Sequence, residues 1–398
     1  MKKIKSISIF LITVIMLFTF CSCKNSDTQS PENESSTVES SVPNNGKPVS
    51  EPETAENILK IINPYDDIRY FDWNGKFNRE AYEEGEYNQE DIFTFTFNQG
   101  TILKGSEDIQ AQIMENGKNP GLGIRTIHEQ GITGKGVNVA IIDQNILLNH
   151  PEFSGKITAY YDTGCGQDEN SGSMHAPAVT SLLVGNNIGV APDAKVYFAA
   201  APSWNGDSEF YANGLYWIIE ENKKLPNDEK IRVVSVSAAP SGNGSPFTKN
   251  LSMWDEAVLA AQEEGILVLD CRSDNKTGII APAFYNPTDP DNVSMCTGGF
   301  PTSAYIIPSS QIGVPTSYRT VAEEYMEGSP SYQYTGQGGL SWGIPYAAGV
   351  LALGWQINPT LDNDQIVQIL FDTCSAANDG STIINPPAFI DAVKNTQK

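Results

Sequence analysis

The chain has 398 residues, with 48 acidic against 25 basic side chains and a formal net charge of −23. This balance argues against a nucleic-acid binder, because no basic face is available to neutralise phosphates. Hydrophobic residues make up 40% of the sequence and aromatic residues 10%, which is enough for a packed core and excludes wholesale disorder. We expect one large or two ordinary domains with an acidic, self-repelling surface.

Residues 1–23 have the pattern of a secretory signal peptide, in which three lysines precede an uncharged apolar run. The run is about 15 residues long, whereas a membrane-spanning helix needs roughly 20. Its end resembles a bacterial lipoprotein signal, in which a cysteine thiol becomes acylated. Cys23 is the predicted lipidation site, because small Ser22 precedes it while a bulky phenylalanine precedes Cys21. A plain signal peptide with incidental cysteines is the open alternative.

Two segments separate this signal from the main part of the chain. Residues 24–55 are rich in Ser, Glu, Pro and Asn, have no aromatics, and are predicted to be a disordered linker. Residues 56–118 are acidic and aromatic, and the alternation in DIFTFTFNQGTILKG predicts a strand. Residue types alone suggest no chemical role for this small N-terminal region.

Residues 119–398 alternate between β-like runs and helical segments. The runs are VNVAIID, AKVYFAA, RVVSVSAA, GILVLDC and VSMCTGG, and the clearest helical segments are SEFYANGLYWIIEENKK and LSMWDEAVLAAQEEG. Near-continuous apolar strands between amphipathic helices predict an α/β, three-layer domain with a mostly parallel sheet and helices on both faces. In such sheets, active residues gather at the carboxyl ends of the strands.

Four cysteines fall within this region. Cys165, Cys271, Cys296 and Cys374 can form two bridges in three connectivities, but their wide scatter matches no disulfide framework. We therefore predict mostly buried thiols.

Three segments of this region carry the residue types of nucleophilic catalysis. VNVAIID ends at Asp143, MHAPAVTSLLVG presents His175 at the start of a helical run, and GLSWGIPYAAG presents Ser341 before a helix of small residues. A serine hydroxyl is a poor nucleophile, so it needs a base, and that base needs an acceptor to fix its tautomer. Each residue alone is equally consistent with a turn or a helix cap. Only their joint occurrence points to catalysis.

Together, in the order Asp, His, Ser, these segments resemble the subtilisin-like serine peptidases, from about residue 120 to residue 394. The resemblance implies a subtilisin-like fold in which Ser341 is the nucleophile, His175 the base and Asp143 the carboxylate that orients it. The family's usual proline and glycine match Pro345 and Gly349. A proline there is compatible with a first helical turn, where its missing donor is not needed.

The oxyanion donor and the substrate-binding strand are less clearly marked. The family uses an asparagine after a strand; a gapless alignment places Asp274 there, whereas a one-residue shift places Asn275. We favour Asn275, because a carboxylate would oppose the developing negative charge unless protonated. The family's substrate-lining strand matches VSVSAAPSGNG, which predicts pairing with an extended peptide by Ser237, Ala238, Ala239 and Pro240. An edge strand followed by a loop is the plainer interpretation.

The motif surroundings depart from the family's pattern, and two hypotheses follow. The glycine, threonine and second histidine expected after His175 are Ala176, Pro177 and Ala178, and Trp342 follows Ser341 in place of methionine. The first hypothesis is a serine endopeptidase that hydrolyses peptide bonds through an acyl-enzyme, tethered outside the cell membrane. The second is a pseudoprotease of the same fold, acting as a peptide-binding or regulatory protein.

No cofactor and no metal site are expected. Calcium binding is not supported, because the loop GNNIGVAPDA is shorter than the calcium-binding loop of many family members. The expected partners are a peptide or protein substrate and, through the N-terminal lipid anchor, a bacterial cell membrane; the protein is expected to be a monomer. Residues 56–118 occupy the place of a folding prosegment, so a prosegment-like role or permanent packing on the domain is predicted.

Overall fold

A computed structural model describes residues 62–70, 80–82, 87–166, 171–273 and 277–397. The predicted signal peptide, Cys23 and the linker lie outside these residues, and so do Asp274 and Asn275. The chain divides into residues 1–55 and 56–398, and every described residue belongs to the second unit.

The helices of this unit are α1 (Gln89–Thr94), α2 (Glu107–Asn116), α3 (Ile124–Glu129), α4 (His175–Val184), α5 (Ser208–Lys224), α6 (Leu251–Glu263), α7 (Leu340–Ile357), α8 (Asn363–Asp372) and α9 (Pro386–Asn395). The strands are β1 (Glu80–Tyr82), β2 (Phe97–Asn98), β3 (Thr101–Leu103), β4 (Asn138–Asp143), β5 (Ile157–Asp162), β6 (Lys195–Ala200), β7 (Ile231–Val236), β8 (Leu267–Asp270), β9 (Ile280–Phe284), β10 (Thr297–Phe300), β11 (Ser303–Ala304), β12 (Ile312–Pro315), β13 (Arg319–Glu323), β14 (Ser331–Thr335), β15 (Ser375–Ala376) and β16 (Thr382–Ile383).

A five-stranded parallel sheet in the order β5-β6-β4-β7-β8 forms the centre of the domain. Every residue of β4 is buried, because alternate side chains enter the two opposite cores of the sheet. Val139 and Ile141 face one core, whereas Ala140 and Ile142 face the other. Since all five strands run in the same direction, their carboxyl ends, including Asp143, lie at one edge of the sheet.

Helices cover both faces of this sheet. Trp254 of α6 packs with residues of α5 in one core, whereas Leu182 of α4 and Leu351 of α7 pack in the other. The ends of α5 agree with its dipole: Asp207 caps the amino end by accepting a hydrogen bond from the Glu209 amide, and two lysines occupy the last turn. The predicted three-layer α/β architecture is confirmed.

A second, mixed sheet has the order β11-β10-β9-β12-β16-β15. It corrects the prediction for VSMCTGG, which was expected to join the parallel sheet. Its strand begins only at Thr297 and pairs antiparallel with β9, because Val293–Met295 forms a turn of 3₁₀ helix first. Apolar composition identified the strand but carried no information on its direction.

The N-terminal region contributes a strand to a third sheet. β2 pairs antiparallel with β14, which in turn pairs with β13, and the rings of Phe97 and Tyr334 stack with centroids 5.1 Å apart. The strand predicted over DIFTFTF begins as helix α1 instead. The reason is a capping box at Asn88 and Asp91, in which each side chain accepts a hydrogen bond from the other's amide.

The four cysteines that the structure describes, Cys165, Cys271, Cys296 and Cys374, are free thiols, as predicted. Only Cys296 is buried, however, and the other three are half-buried. Within the described ranges, no helix is both long enough and apolar enough to span a bilayer.

Candidate active site

Asp143 occupies the carboxyl end of the central strand β4, and only 2% of its surface is exposed. Its backbone remains tied to the sheet edge, since its carbonyl accepts a hydrogen bond from the Ala201 amide at 2.7 Å. The carboxylate accepts a hydrogen bond from the Gln144 amide at 2.8 Å. This carboxylate is therefore held rigidly at the edge where active residues were expected.

His175 is the first residue of α4, and its ring contacts Asp143. The Nδ1 atom lies 2.8 Å from Oδ1 and 2.9 Å from Oδ2 of the carboxylate. An ionised carboxylate only accepts hydrogen bonds, so Nδ1 carries the proton and Nε2 is left as the basic nitrogen of the neutral ring. The amino end of α4 is fixed by Ser173, whose hydroxyl accepts from the Ala176 amide at 3.2 Å.

The environment of His175 favours its charged form. Burial of the imidazole acts to lower its pKa, but the charge of Asp143 and the hydrogen bond to it outweigh burial, so the pKa of His175 is raised above its ordinary value of 6.5. An imidazole whose cation is stabilised by a buried carboxylate is suited to accept a proton from a nearby hydroxyl.

Ser341 lies in the first turn of α7, where it is the second residue after the Gly339 cap. Its hydroxyl donates to the Ser237 carbonyl oxygen at 3.1 Å, and the structure shows no hydrogen bond between this hydroxyl and His175. A hydrogen bond between the two side chains requires rotation of the Ser341 side chain towards Nε2, and loose contacts of this kind are common in unliganded sites. As a residue of the first helical turn, Ser341 has an amide without an intrahelical acceptor.

Trp342 brings the start of α7 against the histidine ring. Its indole lies 5.4 Å from the His175 imidazole, centroid to centroid, with the rings tilted by 57°. The indole Nε1 is buried and has no hydrogen-bond partner in the described structure. From sequence, Trp342 was only a departure from the family's motif; its position directly after Ser341 was the one signal that it would touch the site.

The predicted substrate-binding segment follows β7 directly. Its four carbonyl oxygens already accept hydrogen bonds within the chain: Ser237 from the Ser341 hydroxyl, Ala238 from the Cys271 amide at 2.9 Å, Ala239 from the Ser245 hydroxyl at 2.6 Å, and Pro240 from the Ser208 hydroxyl. A peptide pairing here has to compete for these oxygens or use their second lone pair. The role of the segment in substrate binding stays a prediction.

The predicted oxyanion residue, Asn275, lies in the segment 274–276, and described residues flank that segment on both sides. The Arg272 guanidinium donates to the Thr277 hydroxyl at 2.7 Å and to the fully buried Asp270 carboxylate at 2.8 Å. It also donates to the Ser241 hydroxyl at 3.0 Å. The flanks of the segment are thus joined to each other and to the chain that follows Pro240.

The other two histidines have structural partners. His150 is fully buried; its Nε2 lies 3.0 Å from the Ser331 carbonyl, and its Nδ1 accepts from the Glu152 amide at 3.2 Å. His128 Nε2 lies 2.8 Å from the Val190 carbonyl. Burial lowers the pKa of both rings, which keeps them neutral. Among the described residues, His175 is the one histidine with a hydrogen bond to a carboxylate. No group of three or more candidate metal ligands occurs among the residues described.

A parallel α/β sheet carrying an aspartate-bound histidine beside a helix-borne serine is the arrangement of a serine peptidase. Residues 134–385 match the subtilase family, peptidase S8. The chain therefore belongs to the subtilase family, a family of serine peptidases.

Individual relatives are distant in sequence. Over 274 residues the chain is 28% identical to M-protease of Shouchella clausii, a match that covers 66% of each chain, and 28% identical to Subtilisin Savinase of Lederbergia lenta, covering 66% of this chain and 93% of that protein. A solved protease of Pseudoalteromonas arctica is similar at 23% identity and a TM-score of 0.51, covering 69% of this chain and 94% of the other. A chain from the solved structure of the subtilase cytotoxin SubAB is similar at 16% identity and a TM-score of 0.51. The match covers 70% of this chain and 96% of the other.

Proposed function

We propose that the protein is a serine endopeptidase that cleaves peptide bonds through an acyl-enzyme on Ser341. The observation that carries this proposal is the contact of His175 Nδ1 with both carboxylate oxygens of Asp143, at 2.8 and 2.9 Å, beside the helix start that bears Ser341. In this mechanism Asp143 fixes the tautomer and stabilises the imidazolium, while Nε2 takes the hydroxyl proton during attack.

The second half of the reaction uses the same groups. His175 returns its proton to the leaving amine and then activates water, which hydrolyses the acyl-enzyme. The developing oxyanion is stabilised by the Ser341 amide, supported by the positive dipole end of the 18-residue helix α7. Asn275 is proposed as the second donor. Loss of one such donor typically lowers the rate by about 100- to 1,000-fold.

A pseudoprotease is the second candidate, and a specific observation favours it. The Ser341 hydroxyl donates to Ser237 rather than to His175, and Trp342 packs against the imidazole. In that case the cleft binds peptides without hydrolysing them.

A fluorophosphonate probe separates the two candidates, because it reacts only with an activated serine. We expect labelling of the purified protein that is lost in Ser341→Ala. Ser317→Ala is the control, since Ser317 is fully buried, whereas Ser341 is only half-buried, and the Ser317 hydroxyl has no hydrogen-bond partner in the described structure. A folded protein that stays unlabelled at pH 8 would support the pseudoprotease.

We also propose that the domain is held at the outer face of a bacterial cell membrane by a lipid on Cys23, with residues 24–55 as the tether. The lysine-led apolar run and the small residue before Cys23 support this location. Intact-mass spectrometry of protein extracted from membranes would test this location. Acylation of Cys23 adds the mass of the lipid, and the added mass should be absent in Cys23→Ala.

Of the two roles suggested for residues 56–118, permanent packing is the one we propose. The pairing of β2 with β14 and the stacking of Phe97 on Tyr334 support it, because removing this region would leave an open strand edge and expose an aromatic core. Retention also keeps the domain joined to its lipid anchor.

A further inference from the structure

Two reciprocal hydrogen bonds join Ser237 to Ser341, although the residues are 104 positions apart. The Ser341 hydroxyl donates to the Ser237 carbonyl at 3.1 Å, and the Ser237 hydroxyl donates to the Ser341 carbonyl at 2.8 Å. Ser237 is only 7% exposed. Its hydroxyl is therefore not a surface group, and its position is set by the packing at the end of β7.

The Ser341 carbonyl needs an external donor because of a proline. In an α-helix the carbonyl of one residue accepts from the amide four positions later, and for Ser341 that position is Pro345, which has no N–H. The sequence predicted Pro345 in the first turn of α7, but it lies in the second turn. Its missing N–H therefore removes one hydrogen bond from the helix. The Ser237 hydroxyl donates to the carbonyl oxygen of this missing bond.

We propose that Ser237 is a positioning residue for the nucleophile, whose hydroxyl replaces the helical amide that Pro345 lacks. The inference rests on the proposed peptidase function. By satisfying the Ser341 carbonyl from the edge of the central sheet, Ser237 fixes the first turn of α7 relative to β4 and therefore relative to His175 and Asp143. It acts through the Ser341 backbone, independently of any pairing between the Ser237 main chain and a peptide.

The expected effect of losing this hydroxyl is on the chemical step. Without it, the part-buried Ser341 carbonyl loses this donor, and the first turn of α7 can shift to find another partner. A displacement of about 1 Å in a reacting group lowers a rate by up to about 100-fold. The same turn carries the Ser341 amide that faces the oxyanion, so nucleophile and donor move together.

The test measures the second-order rate of fluorophosphonate labelling together with the urea midpoint. We expect Ser237→Ala to label about 10- to 100-fold more slowly. The matched control is Ser235→Ala: Ser235 lies two residues earlier in β7 and is 1% exposed, but its hydroxyl has no described hydrogen-bond partner. It is expected to label at the wild-type rate.

A double-mutant cycle with Pro345→Ala separates positioning from simple loss of packing. Pro345→Ala restores an amide opposite the Ser341 carbonyl, so adding Ser237→Ala to it should slow labelling by less than 3-fold. The inference would be overturned, and the proposed function left standing, by either of two results. One is that Ser237→Ala slows labelling equally in the wild-type and Pro345→Ala proteins; the other is that folded Ser237→Ala labels at the wild-type rate. An unreactive wild-type protein would overturn the proposed function as well. If Ser237→Ala does not fold, Ser237→Cys replaces it, because a thiol is a weak donor.

Discussion

The Arg272 side chain, which is 8% exposed, lies against a carboxylate with no exposure at all: its Nε is 2.8 Å from Oδ2 of Asp270. Burial raises the pKa of Asp270, and the charge of Arg272 opposes this by stabilising the carboxylate. The carboxylate also accepts from the Trp254 indole at 3.1 Å and from the Thr277 hydroxyl at 2.8 Å. One buried pair thus connects β8, α6 and the chain after residue 276.

Arg272→Met is expected to lower the free energy of unfolding by about 3 to 5 kcal/mol, because it leaves the Asp270 charge buried without its partner. The measurement is urea denaturation followed by tryptophan fluorescence. Adding Asp270→Asn should recover part of the loss, since the uncompensated charge is then removed. Lys223→Met is the control: Lys223 pairs with Glu220 at an exposed surface, and no change in midpoint is expected. An unchanged midpoint in Arg272→Met would contradict the prediction.

The raised pKa of His175 predicts where activity is lost on acidification. In the proposed mechanism only the neutral imidazole accepts the Ser341 proton, so labelling by a fluorophosphonate should fall as pH drops through a midpoint above 6.5. Stability depends on pH in the opposite direction to activity. The His175–Asp143 pair stabilises the fold fully at pH values below the ordinary histidine pKa, and this stabilisation is lost as the pH rises through the raised pKa of His175. A labelling profile with its midpoint clearly below 6.5 would exclude this environment for His175.

Asp143→Asn is expected to move that acid limb to lower pH. Removing the carboxylate leaves burial unopposed, and burial lowers the pKa of His175. The labelling rate at its optimum should fall by about 10,000-fold, because the wrong tautomer is then favoured. The rate and the midpoint come from one pH series. Asp162→Asn is the matched control and should change neither quantity, because Asp162 ends β5, which is separated from β4 by β6 in the same sheet.

Retention of residues 56–118 predicts an intact mass that includes them. If a protease site is inserted at residue 118, cleavage should leave the two pieces associated, because β2 remains paired with β14. Phe97→Ala should destabilise the whole unit by about 3 to 5 kcal/mol through loss of a buried aromatic side chain. Isolation of a stable, labelled domain that begins near residue 119 would contradict permanent packing.

The thiols are expected to react slowly in the folded protein. Burial raises the pKa of Cys165, Cys296 and Cys374 to about 12, against an ordinary value of 9.0, so the reactive thiolate is about 1,000-fold scarcer at pH 8. Iodoacetamide followed by peptide mass analysis should label these positions only after unfolding. Rapid alkylation of the native protein would show that the packing around them opens readily.

The sheet and its covering helices were predictable because the central strands are buried on both faces and are therefore apolar throughout. The chain direction of β10 was not, since a short apolar run carries no information on its partner. Helix α1 was not predicted, because the apolar alternation of DIFTFTF indicated a strand; the capping box of Asn88 and Asp91 is the sequence signal that marks the helix.

Within the site, residue types identified Asp143, His175 and Ser341 as candidates, because nucleophilic catalysis requires those side chains in combination. The two hydrogen bonds between Ser341 and Ser237 were not predictable from the neighbours of either residue, since the two serines are 104 positions apart. Only the three-dimensional packing of β7 against α7 relates Pro345 to that serine.

The third sheet has a consequence for how the chain is made. The Tyr334 hydroxyl donates to the Phe93 carbonyl across 241 positions, so the N-terminal region emerges from the ribosome long before the strand that covers it. At ordinary rates of synthesis this interval lasts on the order of 10 to 50 seconds. During that time the aromatic edge of β2 is available to any other extended polypeptide, and a nascent-chain chaperone that shields it would raise the yield of folded protein.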